Sequence, residues 1–271
     1  MRFKLDLKLN KNIFGNLIPI SYQYELSAWI YNVIAKSNAL YATWLHDNGF
    51  CDFNKRFKMF TFSNIFPRMK ATGDRLIIRH DASYIFLSFL PEKSTEEFII
   101  GVFLENEFTL GDYNSRVQFR VEGIEILPSP TFTGISTNMH ESNRALLSTS
   151  TGHEFRTLSP ICISTKREND SIEYVSPENE GYGRMLINNL KEKYLAFYGK
   201  PFEGDESFEF ELLSHAKSRL ITIKANTPEM TKVKGFHFNF RLKADTTLMH
   251  LMYEAGLGEK NSIGFGMVEK A

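Results

Sequence analysis

The chain has 271 residues, enough for two domains of ordinary size with real cores, and 32 Lys and Arg balance 32 Asp and Glu to a formal net charge of zero. Its two cysteines, Cys51 and Cys162, lie far apart and form no CxxC pair, which excludes a disulfide framework and a cysteine zinc site and suits a reducing cytoplasm. The N-terminus alternates polar and apolar residues instead of forming a signal-peptide core, and no apolar run is long enough to span a membrane.

In chain order, Phe3 to Leu9 reads as a strand and Ser21 to Lys36 as a helix with the apolar stripe Leu26, Ile30, Val33 and Ile34. A short helix, Ala39 to Asp47, should stop at Asn48-Gly49. Strands follow at Lys58 to Ser63 and Tyr84 to Leu90, then a helix from Ser94 to Asn106 with Glu96 and Glu97 in its first turn, then a strand from Gln118 to Leu127. Pro128-Ser129-Pro130 breaks the pattern and marks a boundary between units spanning 1–128 and 131–271.

The second unit begins with residues 133 to 154, rich in Ser, Thr and Asn and the least structured stretch by composition. Leu158 to Thr165 reads as a strand, Glu178 to Phe197 as a helix ended by Gly199-Lys200-Pro201, and Glu206 to Leu213 with Ser218 to Lys224 as a hairpin. Phe236 to Leu242 alternates as a half-buried strand does, and a helix from Asp245 to Ala255 leads to a final strand at Met267-Val268. Each half therefore follows the order βαββαβ, which makes the expected fold class α+β, with two tandem ferredoxin-like (RRM-like) domains and a C-terminal glycine-rich loop.

The neutral total hides two basic stretches. Residues 51 to 80 hold seven Lys and Arg against two Asp, and residues 215 to 243 hold seven against Glu229 alone. A polyanion lying along such faces would release counterions and bind with strong salt dependence, whereas solvated strand faces that happen to be lysine-rich explain either stretch taken alone equally well.

The segment from Gly256 to Val268 places Gly256, Gly258, Gly264 and Gly266 around Lys260, Asn261 and Ser262. Glycines without Cβ let a backbone approach a phosphate, so this segment reads as a nucleic-acid-binding loop. It fits neither the dinucleotide fingerprint nor the Walker loop, both of which follow a strand where this loop follows a helix. A helix cap with a tight turn accounts for one or two of the four glycines.

The loop GLGEKNSIGFGMV resembles the C-terminal glycine-rich signature of the CRISPR-associated RAMP proteins, in particular the endoribonuclease family that cuts precursor CRISPR RNA within its repeats. Tyr22-Gln-Tyr-Glu-Leu-Ser-Ala-Trp-Ile-Tyr31, Ala42-Thr-Trp-Leu-His46, Lys58-Met-Phe-Thr-Phe-Ser63 and Leu158-Ser-Pro-Ile161 are similar to further segments of that family, so the resemblance runs along nearly the whole chain. It implies a metal-independent endoribonuclease that leaves a 2′,3′-cyclic phosphate and a 5′-hydroxyl, with no cofactor. It implies CRISPR repeat RNA as partner and leaves subunits of a CRISPR effector complex, or a second copy of the chain, as protein partners. Some members hold RNA without cutting it, which gives the alternative of a non-catalytic repeat- or guide-binding subunit.

Cutting RNA without a metal needs a group to deprotonate or orient the 2′-hydroxyl, one to protonate the leaving 5′-oxygen, and a cation at the phosphate. Tyr31 lies about 140° around the helix from Leu26, off the apolar stripe. The alternative for it is a boundary tyrosine under a neighbouring loop. His46 falls in the last turn of its helix, where the dipole favours imidazolium; a surface histidine paired with Asp47 is the other reading. The resemblance matches Tyr31, His46 and Lys58 to the family's catalytic residues, with Lys55 and Arg56 near enough in sequence to take the cationic role. RNA contacts then fall to Lys55, Arg56, Gly256, Gly258, Lys260, Asn261, Ser262, Gly264 and Gly266. No paired-Asp motif, HD pair or His/Cys ligand spacing suggests a metal nuclease.

Overall fold

The computed structural model describes residues 1–52, 55–132, 152–225 and 227–271. In the first half, β1 (Arg2–Leu9) is followed by α1 (Gln23–Ser37), α2 (Ala39–Asp47), β2 (Phe60–Phe62), β3 (Ala82–Phe89), α3 (Glu92–Leu104), β4 (Glu107–Gly111) and β5 (Arg116–Leu127). These strands form one antiparallel sheet in the order β2-β3-β1-β5-β4, which is the ferredoxin-like order with β4 added at an edge. Phe3, Leu5, Leu7 and Leu9 point every second residue of β1 into a core shared with Leu26, Ile30, Val33 and Ile34 of α1. Gly101 lets α3 cross α1 closely, since a Cβ there would lie 1.9 Å from the Val33 carbonyl oxygen.

The second half repeats the plan. Its elements are β6 (His153–Thr157), α4 (Tyr182–Tyr198), β7 (Glu209–Leu212), a hairpin of β8 (Lys217–Ile223) and β9 (Thr231–His237), β10 (Asn239–Lys243), α5 (Thr246–Ala255) and β11 (Val268–Lys270). The sheet order β7-β10-β6-β11 is again ferredoxin-like, and the chain is α+β with two such units.

Four sequence expectations need correction. The first strand of the second half is His153–Thr157 and not Leu158 to Thr165, because Leu158 turns away through bonds from its own amide and that of Ser159 to the Met267 carbonyl. His153 and Glu154 thus belong to a strand, while residues 133–151 of the stretch expected to lack structure lie outside the described residues. The expected 206–213/218–224 hairpin does not form. β7 pairs with β10, and β8 pairs with β9. The run from Phe236 to Leu242 divides at Phe238 between two sheets, a break that a continuous alternation does not reveal. Finally, Lys58 precedes its strand instead of starting it, because Met59 adopts φ 55° and turns the chain before Phe60.

The halves are joined through buried groups. Arg2 donates from Nη1 to Val268 O (2.7 Å) and from Nη2 to Tyr253 O (2.6 Å), with its guanidinium 3.4 Å above the Tyr253 ring. Burial pushes its pKa down to about 10, which leaves it charged at neutral pH. Met59 crosses over to pack in the core of the second half. Arg2→Met removes both donors from two buried carbonyls, so we expect a loss of about 2–4 kcal/mol. Urea unfolding checks this; an unchanged midpoint would mean that Arg2 contributes nothing to holding the halves together.

Candidate active site

Three residues of α1, spaced by four, face the glycine-rich turn. Gln23 packs where a Cβ on Gly264 would stand, 3.0 Å from its Cγ. Ser27 Oγ donates to Ser262 O at 2.6 Å, and the Tyr31 hydroxyl faces the Ser262 side chain. This polar stripe runs beside the apolar one, which explains why Tyr31 is half-buried and yet reaches a polar partner. Burial raises the Tyr31 phenol well above its ordinary range, with the Ser262 side chain opposing, so it stays protonated at neutral pH.

The Tyr31 ring meets the His46 ring edge-on at 5.1 Å between centroids. Helix α2, started by the Asn38 side chain, carries His46 in its last turn, 67% exposed, with Nδ1 2.8 Å from Asp47 Oδ1. That contact leaves Nε2 toward solvent. Lys58 Nζ donates to His46 O at 2.5 Å and Arg56 Nη1 to Asp47 O at 2.8 Å, so two cations sit on the negative end of α2 beside the imidazole. Burial, then the charge of Arg56, lowers the Lys58 pKa. Lys55 is held elsewhere, 2.6 Å from Glu192 of α4. Tyr31, His46, Lys58 and Arg56 therefore form one cluster, and Lys55 stands outside it.

The glycine-rich turn is mostly interior. Gly256, Gly258, Gly264 and Gly266 are all buried. Packing is a cause of glycine density that the sequence reading did not contain: at Gly258, with φ +73°, a Cβ would lie 2.5 Å from Cys162 O. The Asn261 amide is spent inside the turn, donating to Leu257 O (3.3 Å) and Phe265 O (3.1 Å). Lys260 is exposed and its side chain faces outward, while Ser262 is half-exposed with its side chain toward Tyr31.

A residue missed in the sequence sits behind the turn. Lys193 of α4 is buried, and its Nζ donates to Gly256 O (2.6 Å), Gly258 O (2.7 Å) and Asn261 Oδ1 (2.7 Å). Its signal was legible, because Lys193 falls on the stripe of Tyr182, Leu186, Asn189 and Leu190 that α4 buries.

The basic stretches are partly neutralised: Lys55 pairs with Glu192, Arg75 with Asp112, Arg241 with Glu154 and Glu211, and Lys243 with Glu209. Lys217, Lys224 and Lys232 stand exposed on the β8–β9 hairpin. Among the described residues no group of three or more His, Cys, Asp or Glu side chains could hold a metal ion, and no helix is long and apolar enough to cross a membrane.

Lys193 should make stability depend on pH. Burial pushes its pKa down to about 7, opposed by the charges of Glu259 and Glu192. An unfolded lysine keeps its proton up to about 10.4, so between these values the unfolded chain binds more protons and stability rises with pH. Urea unfolding of the parent and Lys193→Met at about pH 7 and about pH 9 should show a rise in the parent that the variant lacks. Parallel behaviour of the two would contradict the buried charge.

A family model described as CRISPR-associated protein Cas6, N-terminal, matches residues 17–125, and one described as CRISPR associated protein Cas6, C-terminal, matches residues 141–270. CRISPR-associated endoribonuclease Cas6 1 of Methanocaldococcus jannaschii is 31% identical over 272 residues, covering 98% of this chain and 91% of that one. CRISPR-associated endoribonuclease Cas6 of Pyrococcus furiosus is 29% identical over 272 residues, covering 99% and 89%. A solved structure described as CRISPR associated protein Cas6 superposes with a TM-score of 0.70 at 29% identity, covering 100% of this chain and 99% of that one. Another, described as a RAMP protein binding different RNA substrates, shares the fold at a TM-score of 0.78 and 23% identity, covering 100% and 99%. With relatives matched along almost its entire length and both halves fitting the family models, the chain belongs to the Cas6 family of CRISPR-associated proteins.

Proposed function

We propose that the chain is an endoribonuclease that binds CRISPR repeat RNA and cuts precursor CRISPR RNA within its repeats without a metal ion. What carries the reading is the meeting of Tyr31, His46 and Lys58 beside the outward edge of the glycine-rich turn. Residues 1–128 and 131–271 are read as the two units whose seam holds the RNA, with effector-complex subunits or a second copy as further partners.

In this mechanism the 2′-oxygen attacks the adjacent phosphorus and loses its proton, the bond from phosphorus to the 5′-oxygen breaks, and that oxygen takes up a proton. The products are a 2′,3′-cyclic phosphate and a 5′-hydroxyl. The raised Tyr31 pKa suits it to orient the 2′-hydroxyl by hydrogen bonding instead of removing its proton. Histidine is the side chain suited to proton transfer near neutral pH, and Asp47 on Nδ1 turns Nε2 of His46 toward a substrate. His46 then gives the leaving oxygen its proton, and the 2′ proton passes to bulk solvent, from which the spent imidazole is reprotonated. Lys58 and Arg56 supply positive charge where the phosphate's charge grows. Lys260, Ser262 and the exposed hairpin lysines are read as further RNA contacts.

In EDTA the parent should cut repeat RNA, and His46→Ala should slow cutting about 10²–10⁴-fold while keeping near-parental affinity for uncut repeat. Lys58→Ala should lose both rate and some affinity. A repeat with one 2′-deoxy nucleotide just upstream of the cut should bind and stay intact, and affinity should fall linearly on a log scale with salt. Activity only on adding divalent metal, or cleavage of the deoxy substrate, would sink the mechanism. Repeat binding without cutting by the parent would favour the non-catalytic subunit.

A further inference from the structure

A lysine with no solvent contact needs an acceptor for each of its three N–H groups, because an unpaired buried ammonium donor carries a large desolvation cost. Lys193 has three, and all belong to the glycine-rich turn. Two are main-chain carbonyls, Gly256 O and Gly258 O, at positions with φ +88° and +73°, where the chain has left α5 and has not yet entered β11. Gly256 also caps the C-terminus of α5, so the ammonium lies at the negative end of that helix. The third is Asn261 Oδ1, whose amide nitrogen closes the turn on Leu257 O and Phe265 O. One side chain thus fixes the near end of the segment directly and reaches its far end through Asn261, with Lys260 and Ser262 on either side of that residue.

From that segment the path to the cluster is direct. Ser262 bonds Ser27 through its carbonyl and faces the Tyr31 hydroxyl with its side chain, and the Tyr31 ring meets that of His46 edge-on. The turn is also docked on the first half by Thr61 Oγ1, which donates to Phe265 O at 2.9 Å. Lys193 belongs to the second half and Tyr31 to the first, so the tether is what brings a second-half element to bear on first-half chemistry.

We propose that Lys193 is a positioning residue for RNA cleavage: its ammonium holds the glycine-rich turn in the shape that sets Ser262 against Tyr31 and keeps the Tyr31–His46 pair aligned on the scissile phosphate. The role rests on the nuclease reading above, and it touches neither RNA nor the reacting atoms. Its signature is a split between rate and affinity. A displacement of the order of 1 Å at Tyr31 costs about 10²-fold in rate, while the phosphate contacts that dominate affinity lie on exposed cations and persist.

The test compares the parent with Lys193→Met, which keeps volume but donates nothing, and Lys193→Gln, which keeps two donors. Single-turnover cleavage of repeat RNA in EDTA should fall about 10–100-fold in Lys193→Met and less in Lys193→Gln, with near-parental affinity of all three for the 2′-deoxy repeat. A folded Lys193→Met that cuts at the parental rate, or one whose loss is entirely in affinity, overturns the proposal. Hydrogen exchange on the RNA-free parent needs neither a folded variant nor activity. The amides of Leu257, Gly264 and Gly266, bonded to Gly266 O, Asn261 O and Pro160 O, should exchange as slowly as those of β1. Exchange as fast as in exposed turns refutes the tether even if cleavage occurs, whereas slow exchange in a parent that cuts no repeat RNA places the failure on the nuclease reading alone.

Discussion

A segment of four glycines in thirteen residues has little shape of its own, since each glycine loses more freedom on ordering than any other residue. This turn is ordered because it is buried between the halves and its inward carbonyls are claimed by one ammonium, that of Lys193. The remaining arrangement depends on that contact. The turn carries Ser262, Ser262 meets Ser27 and Tyr31, and Tyr31 meets His46. Removing charge from water to do this is costly, as the lowered Lys193 pKa reflects, and the fold bears that cost where its two halves meet.

The same logic governs the cationic side of the cluster. Lys58 and Arg56 approach the last carbonyls of α2, where the helix leaves acceptors unpaired, and this brings two positive charges beside His46. Lys55, next to Arg56 in sequence, turns instead to Glu192. Near neighbours in sequence thus divide between a site and a domain contact according to which acceptor each can reach.

Much of this was legible in the chain. The βαββαβ order of both halves follows from apolar periodicity, and α2 ends at Asn48-Gly49 as its residues require. Tyr31, expected off the apolar stripe, is half-buried and packs against the core of the first half while its ring also meets His46. Pairing between strands was less legible. The choice of β10 over β8 as the partner of β7 is made by the packing of two sheets, and an unbroken alternation from Phe236 to Leu242 conceals the point where the chain passes from one to the other. The glycine-rich turn was read from one side only: its composition suggested a surface that meets RNA, while the buried side, with Asn261 and the four glycines packed inward, depends on partners distant in sequence. Lys193 could have been found, because a lysine on the buried stripe of an amphipathic helix has to meet acceptors somewhere.

A protonated phenol, an imidazole beside a carboxylate and two cations on a helix end form the cluster to which the proposed function assigns proton movement around a phosphodiester, with the RNA's own 2′-oxygen as the proposed nucleophile. The identity of the new ends on the cut RNA tests that claim most directly, because the attacking atom is written into the product. Mass spectrometry of the fragments from cleavage of a CRISPR repeat should find a 2′,3′-cyclic phosphate on the upstream fragment and a 5′-hydroxyl on the downstream one. An upstream 3′-hydroxyl with a downstream 5′-phosphate would show that water attacked, and would contradict the account.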